Sequence, residues 1–153
     1  MTSHTSTRLS SGLVTLGLAV ALAVGLGMPI SAHAELQQRG DCRIYTLIGL
    51  YIFDAEGFTI TPTGPQPKAI VEFMDFKGNG TVNALATVSL NGNPILRGIK
   101  ASGTYTVNED CTGTLSFSGP HFDIFISPDG REFHVVETDA NTVLSGVVKR
   151  VSR

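Results

Sequence analysis

Apolar and polar residues alternate with a period of two along much of the chain beyond residue 42. The clearest case is the stretch 81–90. Val82, Ala84, Ala86, Val88 and Leu90 share one side, and Asn83, Thr87 and Ser89 share the other, with Leu85 the one apolar residue on the polar side. Such alternation predicts a half-buried β-strand. Seven further runs are rich in Val, Ile, Phe, Thr and Tyr, which fit a pleated surface. They are 44–53 (with 57–60 extending it after a bend), 69–76, 95–107, 112–118, 121–127, 131–138 and 142–151.

Turn chemistry separates the runs. Asn79-Gly80 and Asn91-Gly92-Asn93 suit tight hairpins. Asn108 to Asp110 reads as a turn, and in Ser127-Pro128-Asp129-Gly130 the proline presets the first corner while glycine accepts a positive φ. The stretch 61–68 contains three prolines and a glycine and reads as a loop. Gly98 and Gly103, inside the fourth run, mark a bulge or sharp bend. The expected fold is all-β: an antiparallel up-and-down meander of about eight strands in one domain, closed into a small barrel so that no edge is left unpaired. A two-sheet β-sandwich is the alternative, and the short links favour the barrel.

The first 34 residues stand outside this pattern. Arg8 is followed by an uncharged apolar stretch from Leu13 to Ile30, and Ala32-His33-Ala34 then gives the A-x-A spacing that signal peptidase reads. Residues 1–34 read as a secretory signal peptide and 35–153 as a single β-barrel domain, secreted or periplasmic, with no membrane anchor after cleavage. A retained anchor is the competing reading, since the apolar stretch approaches spanning length. Cleavage leaves ten basic side chains against thirteen acidic ones, with no clustered basic stripe, so a nucleic-acid partner is not expected.

Both cysteines, Cys42 and Cys111, lie in the mature part. In an exported domain with two cysteines the simplest outcome is one disulfide. No C-x-x-C spacing, calcium loop, phosphate loop or paired-histidine motif is present, so neither a metal nor a cofactor is expected.

The stretch Gly103-Thr104-Tyr105-Thr106-Val107-Asn108-Glu109-Asp110-Cys111-Thr112-Gly113-Thr114 resembles a signature shared by a group of small exported bacterial proteins. The likeness includes Phe76, Gly78 and Gly80 before the third run. It also includes Thr138, Asp139, Thr142, Val143, Ser145, Gly146, Lys149 and Arg150 near the C-terminus, so it covers most of the mature chain. The pattern is similar in style to calycin-like and allene-oxide-cyclase-like β-barrels. The resemblance implies a fold; glycines, turn residues and a cysteine imply no particular chemistry.

Eight phenylalanines, three tyrosines and no tryptophan supply the aromatic content. Phe73, Tyr105, Phe117, Phe122 and Phe133 are candidates to line an apolar pocket, with Ala84, Ala86, Gly98 and Gly103 leaving room. A filled core is the competing reading. Glu137 shares a phase with Phe133 and Val135 and could stand at a barrel mouth. Asp75 shares a phase with Val71 and Phe73, while Glu72 and Lys68 fall on the opposite face and read as solvated. His121 and His134 lie on adjacent runs. A three-residue loop pairs His121 with Glu137 and Ile124 with His134; a two-residue loop pairs Asp123 with His134 and Ile124 with Phe133. Either could make a general-base pair or an exposed cross-strand pair. No catalytic residue is assigned. Three functions stay open: a non-catalytic barrel binding a small apolar or amphipathic ligand, a cyclase or isomerase using the barrel cavity, and a structural or interaction module with a filled core. Composition and spacing leave the oligomeric state open.

Overall fold

Each strand in the computed structural model, which describes residues 40–152, pairs antiparallel with the one before it. In chain order they are β1 (Ile48–Thr61), β2 (Gly64–Lys77), β3 (Thr81–Leu90), β4 (Asn93–Tyr105), β5 (Thr112–Ser116), β6 (His121–Ile126), β7 (Glu132–Glu137) and β8 (Thr142–Ser152). The last strand returns to the first, with Tyr51 opposite Arg150 and Thr59 opposite Thr142. The sheet is thus an eight-stranded up-and-down barrel, and the β1–β8 ladder excludes a sandwich. The expected signal peptide at 1–34 and the start of the arm that follows lie outside the described residues.

The inner wall is apolar. Tyr51, Phe53, Ala55, Ile70, Met74, Phe76, Val82, Ala84, Tyr105, Leu115, Phe122, Ile124, Phe133, Val135, Leu144 and Val148 are all buried. The alternate positions face outward and include Asp54, Glu56, Lys100, Asp123 and His134. Apolar side chains also stand on this outer face, among them Val71, Phe73, Leu85, Phe125 and Val136.

The turns divide between two ends. The lower end carries the β2–β3, β4–β5 and β6–β7 turns and a short 3-10 helix, Ile44–Thr46, that precedes β1. The upper end carries the β1–β2, β3–β4, β5–β6 and β7–β8 turns. Cys42 and Cys111 are bonded to each other, so the N-terminal segment is fastened to the β4–β5 turn.

Several boundaries differ from the reading of the sequence. The run 44–53 divides into the 3-10 turn and the start of β1, and β1 continues without interruption through 57–60 to Thr61. The expected loop at 61–68 is mostly strand, because β2 begins at Gly64 and carries Pro65 and Pro67. Those prolines fit for a specific reason. The Pro67 carbonyl accepts from Asn91 N on the β3 side, so its missing N–H points that way too, where the β2–β3 ladder ends at Lys68–Leu90. No ladder bond is lost. The fourth strand stops at Tyr105 rather than Val107, and the fifth at Ser116 rather than Ser118.

Gly98 sits in a bulge, as expected. Two residues of β4, Arg97 and Gly98, face the single Thr87 of β3, and Gly98 has φ +58°. Gly103 serves a different purpose. A side chain there would collide with the Ser116 carbonyl and the Phe117 ring, which closes over it.

Candidate functional site

The two halves of the barrel interior differ. Aromatic rings fill the lower half: Phe76 contacts Tyr51, Tyr105 and Phe133, with centroids 5.2, 4.9 and 5.6 Å apart. Edge-to-face packing of this kind adds to the gain from burial. The rings also carry the polar atoms that seal the floor. The Tyr51 hydroxyl donates to the Gly130 carbonyl at 2.7 Å and accepts from Arg150 Nη2 at 2.7 Å, and the same Arg150 nitrogen donates to the Thr46 carbonyl at 2.9 Å. The Tyr105 hydroxyl lies 2.9 Å from the Leu47 carbonyl and 3.1 Å from that of Ile44, and burial raises its pKa. This end is a packed core.

Smaller residues and three charged groups face the upper half. Ala55, Ala84, Ala86, Ala101, Gly57 and Gly146 occupy inward positions of β1, β3, β4 and β8. Lys68 stands opposite Gly57, and its ammonium reaches past β1 and β8 to Glu137 on β7, donating at 2.9 and 3.3 Å to the two carboxylate oxygens. Both side chains are largely buried. Glycine at 57 is required, because a side chain there would strike the Val143 carbonyl.

Glu72 lies below this pair, flanked on its row by Phe53 of β1 and Ala86 of β3. The residue is only 8 % exposed, and it forms no hydrogen bond and no ion pair with any described residue. Among the described residues no buried side-chain nitrogen or oxygen is both unbonded and sealed from solvent. The Glu72 carboxyl therefore faces space that a water molecule can reach. Burial among apolar neighbours pushes its pKa up to about 7, since the charged form loses hydration and gains no partner.

The expected site residues divide into three groups. Tyr105, Phe122 and Phe133 face inward and are buried, but Tyr105 and Phe133 belong to the packed floor. Phe122 meets Phe53 edge-on at 5.9 Å higher up, Phe117 is partly buried over Gly103, and Glu137 is inside, as its phase implied. Phe73 is a correction: it faces outward, 46 % exposed, opposite Ile52 and Leu85. Asp75 shares that outer face and binds the Lys77 ammonium. Glu72 and Lys68, read as solvated, are the inward pair of the strand.

The inversion has an identifiable cause. β2 carries apolar residues on both faces, Ile70, Met74 and Phe76 on one and Val71 and Phe73 on the other, so alternation alone leaves its phase open. The decisive signal is the turn. Gly78-Asn79-Gly80 sets Phe76 against Val82, and with it Met74 against Ala84 and Glu72 against Ala86, all on the clean apolar face of β3. Phe73 in turn explains Leu85, the apolar residue on the polar side of β3, because the two are neighbours outside. They border an outer groove of about 470 Å³ that also includes Leu50, Asp75 and Lys100.

The histidines are on the outer surface. Neither expected register occurs: β6 and β7 pair Phe125 with His134 and Phe122 with Glu137, because Ser127 bonds to Glu132 across a longer loop. His121 Nδ1 instead lies 2.8 Å from Asp139, which also accepts from the His121 backbone N–H at 2.7 Å. Those two bonds, the backbone one foremost, lower the Asp139 pKa. His134 lies 3.6 Å from Glu132. Both are surface pairs.

An eight-stranded antiparallel barrel with a packed floor and one unpaired carboxyl in its upper half is the class that fold and site define. No protein-family model matches this chain, and no curated protein matches it.

Proposed function

We propose that this chain is an exported, non-catalytic barrel that binds one small apolar or amphipathic molecule in its upper half. The observation that carries this reading is Glu72: an unpaired carboxyl beneath the barrel mouth, between Phe53 and Ala86, facing space that a water molecule can reach. A wall built only for packing would gain by replacing such a group with an apolar one. Ligand sites combine apolar walls with a few polar groups that fix orientation. The Cys42–Cys111 bond and the signal-like leader support export, and no helix among the described residues is long and apolar enough to cross a membrane.

Catalysis of the cyclase or isomerase kind is the second reading. A carboxyl titrating near neutrality can move a proton. Binding is preferred because no described group is bonded to Glu72 to orient it, as a base is usually oriented.

Titration with the neutral fluorescent probe N-phenyl-1-naphthylamine tests the binding reading. One saturable site is expected, lost in Ala86→Trp, which fills the space beside Glu72, while the variant stays folded by circular dichroism. Absence of saturable binding to the native chain would leave the filled, structural barrel as the better reading.

A further inference from the structure

The charges that face the barrel interior are incomplete. At the upper end these are Lys68, Glu137 and Glu72. The first two satisfy each other, with both Glu137 oxygens within 3.3 Å of the Lys68 ammonium. Four residues along an extended strand separate Lys68 from Glu72, roughly 13 Å at ordinary strand rise. Arg150, the inward cation of the lower end, is committed to Tyr51 and Thr46. No cation of the described chain therefore answers Glu72, and the upper interior carries one formal negative charge in excess.

Its surroundings favour one kind of complement. Phe53 stands beside Glu72, and Phe122 packs edge-on against Phe53. Aromatic faces attract cations, most strongly where water is excluded. Ala86, the neighbour of Glu72 on the other side, offers apolar surface and no hydrogen-bond donor. A neutral ligand hydroxyl could form one ordinary hydrogen bond to the carboxylate. An ammonium forms a charge-assisted bond and also removes the unpaired charge. A ligand carboxylate would be repelled by Glu72.

We propose that the upper barrel selects molecules with a protonated primary amine on an apolar body, and that Glu72 is the specificity-determining counter-ion. This rests on the ligand-binding reading above. The Lys68–Glu137 pair closes the mouth above the bound amine and takes no part in charge recognition, because its charges are mutually neutralised.

Three ligands that differ only in the head group test the proposal: octylamine, octanol and octanoate, each below its aggregation concentration, competing with N-phenyl-1-naphthylamine at pH 8. The native chain is expected to bind octylamine at least ten-fold more tightly than octanol and to bind octanoate most weakly. Glu72→Gln keeps the shape, and the amine and alcohol should then agree within about two-fold. Equal affinities in the native chain, or an amine preference that survives Glu72→Gln, would overturn the role of Glu72 while leaving a ligand-binding barrel in place. Failure of the native chain to bind the probe or any of the three would overturn both readings. The native-chain comparison stands alone if Glu72→Gln does not fold.

Discussion

An unfolded glutamate titrates near 4.5, whereas burial moves Glu72 to about 7. Between those values the folded chain keeps a proton that the unfolded chain has released. Its contribution is therefore most favourable below about pH 4.5 and is lost progressively as pH rises towards 7. At about 1.36 kcal/mol per pH unit, the loss is on the order of 3 kcal/mol. Glu72→Gln should remove this dependence, so that thermal melts of variant and native chain converge near pH 4 and the variant is the more stable at pH 8. A constant difference across that range would show that Glu72 does not titrate inside the barrel. The sequence displays Glu72 and Phe73 side by side but leaves their facing unresolved, because both faces of β2 are apolar. An acidic residue reads as solvated by default, and that default fails here because the strand's partner, β3, dictates the phase. The phase that Glu137 shares with Phe133 and Val135 left it either inside the mouth or reaching solvent at the rim, and it is buried, paired with Lys68.

Among the elements, β3 was legible in full, from Thr81 to Leu90, because its alternation is broken only by Leu85 and an Asn-Gly turn follows it. The β1–β2 hairpin was not. Three prolines imply a loop, and only the end of the β3 ladder beyond Lys68 makes room for Pro65 and Pro67 within a strand. The 3-10 turn at Ile44–Thr46 was absorbed into a strand because Ile, Tyr and Thr suit either. That turn forms the floor of the barrel, and the Cys42–Cys111 bond, which spans 69 residues, holds the segment leading into it. A cross-link closing a loop of that size is worth about 4 kcal/mol in the chain-entropy model. Cys111→Ser should lower stability to urea by about 3–4 kcal/mol and speed amide exchange around Leu47. Probe binding at the upper end should persist. Unchanged unfolding would show that the bond contributes nothing to the floor.

Over the whole molecule, the closed meander follows from short links and eight strand-length runs, and both were visible in the chain. What the alternation could not supply was the division of the interior into a packed aromatic floor and an upper half that holds the charged groups Lys68, Glu137 and Glu72. That division arises from register, which brings residues as distant as Phe76 and Phe133, or Lys68 and Glu137, together across the barrel. One unpaired carboxyl in the upper half is the feature on which the functional reading depends. Its titration can be followed directly through the side-chain carboxyl carbon of Glu72 by NMR, assigned by comparison with Glu72→Gln. A midpoint near 7 is expected for the unliganded protein. A midpoint near 4.5, that of a solvated glutamate, would place Glu72 outside the barrel and contradict the site.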